Sequence, residues 1–237
     1  MLQLVTGAMR RAGEAGDGWY RRWGGLPEQT HREIALFKEI LSRIRPAHGR
    51  PLRVFEWGAG RSTVYDPRFL ARLGQRVEWH AIDNSAHWQA VVMEELHRAR
   101  LSDCVHVHLR EFPAFWEDPH WDRNGWRWRH TPPCSDAIRE YVAFPKSLDV
   151  RFDLLAVDGR YRKQCLYTAR EVVEPDGVVI LHDASRPHYH PGLGGFPHAR
   201  FLPGGRRLGF PVEFVTWVGS PANARLIDEI GTRWGAR

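Results

Sequence analysis

Lysine is nearly absent: only Lys38, Lys146 and Lys163 occur, so almost all of the positive charge in a chain of formal net charge +6 is arginine. The arginines are scattered rather than blocked. A clustered basic patch is the electrostatic footprint of nucleic-acid binding, and its lack argues against a nucleic-acid partner. Cysteine is equally scarce. Cys104, Cys134 and Cys165 stand far apart with no C-x-x-C pair, which excludes a zinc-ribbon pattern and a disulfide framework and suits a reducing compartment. No stretch approaches the roughly 18 apolar residues of a membrane span. Met1 to Arg11 lacks the apolar core of a secretory signal. The expectation is a cytoplasmic protein with no membrane partner; a homo-oligomer is compatible with it. Internal repeats are missing, and so is the Gly-Lys-Ser/Thr of a phosphate-loop NTPase.

What is present is a pattern of alternating strands and helices. The chain has 237 residues, 43% of them hydrophobic, enough for one α/β domain with a short extension. Residues 1–50 read as an arm carrying Trp19, Tyr20 and Trp23, followed by a packing helix. Thr30-His31-Arg32-Glu33 has the form of a capping box, and Ile34, Phe37, Ile40, Leu41 and Ile44 follow at helical spacing up to Pro46. Residues 51–220 form the main domain. Strands are expected at 52–57, 77–83, 105–109, 152–158 and 178–183, and a sixth at 210–218 that can belong to a closing hairpin. Helices are expected before residue 75, over 85–100 and over 161–174, with a turn at Pro175-Asp176-Gly177. Short apolar strands alternating with helices indicate a doubly wound, mostly parallel Rossmann-like sheet with helices on both faces. Two segments, 111–150 and 184–209, break the rhythm and read as long insertions at the carboxyl ends of strands, where ligands bind in such sheets. Residues 221–237 read as a tail.

The strongest local signal is Glu56-Trp57-Gly58-Ala59-Gly60-Arg61-Ser62-Thr63, which follows a strand and opens a helix. Asp83 ends the next strand, where a carboxylate can accept hydrogen bonds from both ribose hydroxyls. Thr63 occupies the position of the third glycine of a dinucleotide fingerprint. Glu56 stands just before the first glycine, where it would repel a pyrophosphate. S-adenosylmethionine carries no phosphate but has an ammonium and a sulfonium, so an acidic strand end suits it.

On these residues the chain resembles the class I S-adenosylmethionine-dependent methyltransferases over residues 50–185. Val54 to Thr63 is similar to the first motif and His80 to Asn84 to the second. Phe152 to Gly159 and Glu174 to Asp183 are similar to the fourth and fifth strands. Gly60-Arg61-Ser62-Thr63, Val157-Asp158-Gly159 and Leu181-His182-Asp183 bring it nearest to the macrocin-type and catechol-type small-molecule O-methyltransferases. The resemblance implies that Glu56, Gly58, Ala59, Gly60, Ser62 and Thr63 carry the methionine part. Asp83 and Asn84 would carry the ribose, and the segment at Leu109 and Arg110 would flank the adenine. Asp158 is expected at the cofactor as well.

Asp158 and Asp183 end neighbouring strands, so their carboxylates should meet at one mouth. They can hold a cation such as Mg2+, which would lower the pKa of a bound acceptor hydroxyl. In the resembling metal-dependent enzymes a third ligand follows the second aspartate, but Ala184 stands there, and Arg160 replaces the expected histidine after Asp158-Gly159. Without metal, His182 or Asp158 is the candidate general base; His182 can equally be turned into sheet–helix packing. Arg160 and Arg162 flank the mouth and can pair with an anionic substrate group or be solvated. Phe112, Phe115, Trp116, Trp121, Trp126, Trp128, Tyr141 and Phe144 suit the wall of a small-molecule pocket or a lid with its own core, and interleaved with Arg123, Arg127 and Arg129 they can also stack bases, the less favoured reading. His188, Tyr189, His190 and His198 read as part of a loop over the site. The function expected is O-methylation of a small-molecule acceptor. RNA or protein methylation, and a binding protein that has lost catalysis, are the alternatives.

Overall fold

The computed structural model describes residues 26–46, 49–112, 136–206 and 213–235. Trp19, Tyr20 and Trp23 of the arm lie outside the described residues, as do Phe115, Trp116, Trp121, Arg123, Trp126, Arg127, Trp128 and Arg129 of the first insertion.

Among the described residues the elements run in the following order: α1 (His31–Arg43), β1 (Leu52–Trp57), α2 (Ser62–Arg72), β2 (Val77–Asp83), α3 (Ala86–Arg98), β3 (Val105–Leu109) and α4 (Asp136–Ala143). A 3-10 turn at Phe144–Leu148 leads to β4 (Phe152–Val157), α5 (Arg162–Val172) and β5 (Val173–Leu181). A second 3-10 turn at Pro187–Gly192 precedes β6 (His198–Arg206), β7 (Glu213–Ser220) and α6 (Ala224–Trp234). The strands form one seven-stranded sheet in the order β3-β2-β1-β4-β5-β7-β6. Strands β1 to β5 pair in parallel, and β7 runs antiparallel to both β5 and β6. The fold is the expected Rossmann-like α/β sheet.

Alternation along each strand divides the core in two, because successive side chains point to opposite faces. Leu52, Val54, Leu154, Val178 and Ile180 meet Phe37, Ile40 and Leu41 of α1, Leu70 of α2, Val92 and Leu96 of α3, and Ile227 and Ile230 of α6. Phe55, Trp57, Leu155, Val157, Val179 and Leu181 meet Tyr141 of α4 and Cys165, Leu166 and Ala169 of α5. The capping box forms as expected: Thr30 Oγ1 accepts from Glu33 N at 3.0 Å, and Thr30 N donates to Glu33 Oε2 at 2.9 Å.

Two local expectations are corrected. Residues 184–209 are not one loop: they contain a 3-10 turn and the edge strand β6. The strand expected at 210–218 as part of a closing hairpin is β7, which pairs antiparallel with β6, with residues 207–212 outside the described set. The tail is the helix α6, capped by Asn223, whose side chain accepts from Leu226 N at 3.1 Å. Pro175-Asp176-Gly177 turns the chain inside β5, where the pairing with β4 slips between Phe152 and Leu154. No helix among the described residues is long and apolar enough to cross a membrane.

Candidate functional site

The carboxyl ends of the parallel strands stay in register beyond the last ladder residue. Gly58 N donates to Ile82 O at 2.8 Å, Asp158 N to Trp57 O at 3.0 Å and His182 N to Val157 O at 3.2 Å. Gly58, Asp158 and His182 therefore stand side by side at the rim of a cleft of about 870 Å³. The expected residues Gly58, Ala59, Gly60, Ser62, Asp83, Asn84, Asp158, His182 and Asp183 all line this cleft.

The glycine loop is shaped by two different demands. Gly58 has φ +96°, and a Cβ there would lie 2.6 Å from Gly159 Cα. The loops after β1 and β4 thus touch backbone to backbone, and Gly159 is required for the same reason. At Gly60 nothing lies within 4 Å of a Cβ position, so its side opens to the cleft. Glu56 is not among the lining residues. It is 1% exposed, accepts from Thr63 Oγ1 at 2.7 Å and from Trp79 Nε1 at 3.1 Å, and also accepts from Ser62 Oγ. Thr63 Oγ1 in turn accepts from Gly60 N at 2.9 Å. Glu56 and Thr63 brace the loop from beneath, and neither is among the residues lining this cleft. Burial raises the Glu56 pKa to about 7, against the three donors that favour its charge.

Asp83 lines the cleft, and its Oδ1 accepts from Ser85 N at 2.8 Å. Burial raises its pKa, and backbone N–H groups of Ser85, Asn84 and Ala59 oppose the rise. Arg110 is not among the residues lining this cleft. Its guanidinium lies 5.1 Å over the Phe144 ring and 3.3 Å from Glu140. The next two residues, Glu111 and Phe112, line the cleft in its place. Phe112 meets the rings of Tyr141 and Tyr161 edge-on at 5.3 Å and 5.5 Å. Tyr141 is fully buried and Phe144 packs on Phe55, so both belong to the core rather than to a cleft wall.

At the mouth, charges are paired in series. His182 Nδ1 lies 2.9 Å from Asp158 Oδ1, and Nε2 lies 3.3 Å from Glu33 Oε1, off the line of a good hydrogen bond. Burial would depress the His182 pKa, but the charge and hydrogen bond of Asp158, reinforced by Glu33, lift it to about 10. Burial would raise Asp158, but His182 and Arg162 hold it at about 2. Arg162 also donates to Gly159 O at 3.0 Å and to the backbone oxygens of His182 and Asp158. It fastens two strand ends and also lines the cleft. A pKa raised to about 10 by Asp158 and Glu33 favours an imidazolium at His182 near neutral pH, a form that accepts no further proton.

The carboxylates do not suit Mg2+ either. Asp158 faces two cations, and Asp183 pairs with Arg186. A divalent ion would have to displace these charges. Among the described residues no three His, Cys, Asp or Glu side chains converge to hold a metal.

Sequence reading missed Glu33. It is 0% exposed and reaches across α1 to His182 while accepting from Thr216 Oγ1 at 3.1 Å. The capping box accounted for its presence, and nothing local announces the second partner. Pro27, Gln29 and Phe214 also line the cleft without a sequence signal.

The sheet order and the glycine-loop cleft define the Rossmann-like fold shared with S-adenosylmethionine-dependent methyltransferases. Among solved structures, the chain is similar to the CMeT domain of the citrinin polyketide synthase, with TM-score 0.50 and 15% identity over 81% of this chain and 52% of that one. It is also similar to spermidine synthase from Thermotoga maritima, with TM-score 0.50 and 12% identity over 88% of this chain and 66% of that one. Ribosomal protein L11 methylase from Lactobacillus delbrueckii subsp. bulgaricus aligns over 83% of both chains at 16% identity and TM-score 0.47. The chain spans about half the length of the first of these. No family model and no curated protein matches the sequence.

Proposed function

We propose that the cleft binds S-adenosylmethionine and methylates an oxygen of a small-molecule acceptor. The observation that carries the reading is the open Gly60 side of the loop in the same cleft that Asp83 lines. The donor set fits the cofactor: a loop braced by a buried acid, a carboxylate for the ribose hydroxyls and the Phe112 ring for the adenine. The cleft volume of about 870 Å³ lies within the range of about 300–1,000 Å³ usual for small-molecule sites. When bound, the cofactor supplies an electrophilic methyl group.

The chain's own residues do the remaining work. The loop and Asp83 hold the cofactor, and the cleft walls exclude water and align the acceptor. Asp158, about one-third exposed at the mouth, accepts the acceptor's proton. A hydroxyl becomes strongly acidic as its oxygen gains a new bond, so a carboxylate of low pKa is a sufficient base late in the reaction. His182 and Arg162 keep Asp158 ionised and in place, and Glu33 helps to keep His182 charged.

Calorimetry with S-adenosylmethionine and S-adenosylhomocysteine tests the binding. Asp83→Ala should weaken it by roughly 10- to 100-fold, because hydrogen bonds to a charged acceptor are worth about 1.5–3 kcal/mol. No binding at millimolar cofactor defeats the proposal. With a turnover assay on an acceptor found by screening, Asp158→Asn should lower kcat by about 100-fold or more with near-normal cofactor affinity. The pH profile should show no rise between about pH 5 and pH 8, since Asp158 is ionised throughout and His182 stays protonated. A basic limb centred near pH 6.5 would restore His182 as the base.

A further inference from the structure

Away from the cleft, β2 and β3 bring three imidazoles together. The register pairs His80 with His106 and Ile82 with His108, so the three histidines share the face opposite Trp79 and Val107. The cleft lining includes none of them. His80 Nδ1 and His108 Nε2 lie 3.1 Å apart, and their rings are nearly parallel at 9° with centroids 5.4 Å apart. The His106 ring centroid is 4.9 Å from that of His80. On the far side of His80, Nε2 is 3.5 Å from Glu78 Oε1, and Arg53 Nε holds Glu78 at 3.1 Å. Phe144 covers His108, with ring centroids 4.4 Å apart.

A carboxylate behind one ring nitrogen keeps the proton there and leaves the lone pair on the other. For His80 that free lone pair is on Nδ1, which points at His108. Metal-bound imidazole nitrogens sit about 2.0–2.1 Å from zinc, so two on a tetrahedral ion are separated by about 3.3 Å. The observed separation needs adjustment by only a few tenths of an ångström.

We infer that His80 Nδ1 and His108 Nε2 form a chelating site for one divalent transition-metal ion of the kind that imidazole prefers, such as zinc, nickel or copper. Water completes the coordination, because among the described residues no three ligand side chains already converge. Glu78 orients His80 from behind. The site lies on the outer β2–β3 edge, independent of the methyl-transfer reading.

The test is titration of the full-length, tag-free chain with Zn2+ by calorimetry and with Cu2+ by electron paramagnetic resonance. One equivalent is expected to bind with superhyperfine structure from two nitrogens, altered when histidine is labelled with nitrogen-15. His80→Ala and His108→Ala should each weaken that equivalent by about tenfold or more, and Glu78→Ala by roughly tenfold. The double change His188→Ala/His190→Ala should leave it unchanged. Unchanged affinity in either His80→Ala or His108→Ala overturns the assignment. So does a wild-type copper spectrum with fewer than two nitrogens; the pair is then a neutral histidine–histidine hydrogen bond. The wild-type spectrum decides even where a variant fails to fold.

Discussion

Gly58→Ala is expected to destabilise the fold by on the order of 3 kcal/mol and to abolish cofactor binding in whatever remains folded. Two effects add. Residue 58 has φ +96°, which strains any side chain, and its Cβ would stand 2.6 Å from Gly159 Cα and 2.7 Å from Gly159 N. Backbone on both sides cannot yield as a flexible side chain can. For a chain of this length, Tm should fall by roughly 6–12 °C. Gly60→Ala is the contrasting case. Its Cβ meets nothing within 4 Å, so stability should stay within about 0.5 kcal/mol of the parent. Affinity for S-adenosylmethionine should nevertheless drop, because the added methyl fills the side proposed for the ligand. Thermal unfolding and calorimetry on the pair separate a glycine required by the fold from one required by the ligand. A normal Tm for Gly58→Ala, or unaltered cofactor affinity for Gly60→Ala, contradicts this division.

His182→Ala should cost about 3–5 kcal/mol, the usual consequence of leaving buried charge without its partner. Glu33 is 0% exposed and Asp158 loses one of its two cationic partners. The pH dependence identifies the cause. The His182 pKa rises from an ordinary 6.5 to about 10, so the histidine's contribution is fully present below pH 6.5. It is lost as pH rises through about 10. Asp158 falls from 3.8 to about 2, so its contribution is present above pH 3.8 and is lost as pH falls through about 2. Urea denaturation of parent and variant should therefore show the widest gap between about pH 4 and pH 6.5, narrowing steadily toward pH 10. A gap that is constant with pH would mean that packing, not charge, is what the histidine supplies.

The sequence announced elements whose pattern is local. Phe55 and Trp57 alternate with Val54 and Glu56, and the two sets face opposite layers. The α1 capping box closes on its own four residues. Strand β6 was hidden because Pro203, Gly204 and Gly205 look like a loop. An edge strand tolerates proline and a bulge, and the register does slip between Pro203 and Gly205. Gly204 is explained only by a distant residue: a Cβ there would lie 2.8 Å from the Glu33 carboxyl group. Helix α6 had a readable signal in Leu226, Ile227, Ile230 and Trp234 at helical spacing behind Asn223, in a stretch expected to be a tail.

The sequence by itself determined the strand–helix alternation, the glycine loop and the acidic residues at the strand ends. Each of these is set by neighbours a few residues apart. The tertiary structure decided what those residues do. Glu56 became a brace beneath the loop because Trp79 on the next strand donates to it from below. Arg162 became a fastening because two strand ends offer it carbonyls. The His182 pKa is raised chiefly by Asp158 at the end of the neighbouring strand, and α1 adds Glu33, 149 positions earlier in the chain, near its far nitrogen. Protonation state follows from burial and from charges at a few ångströms, and only the folded chain sets those distances.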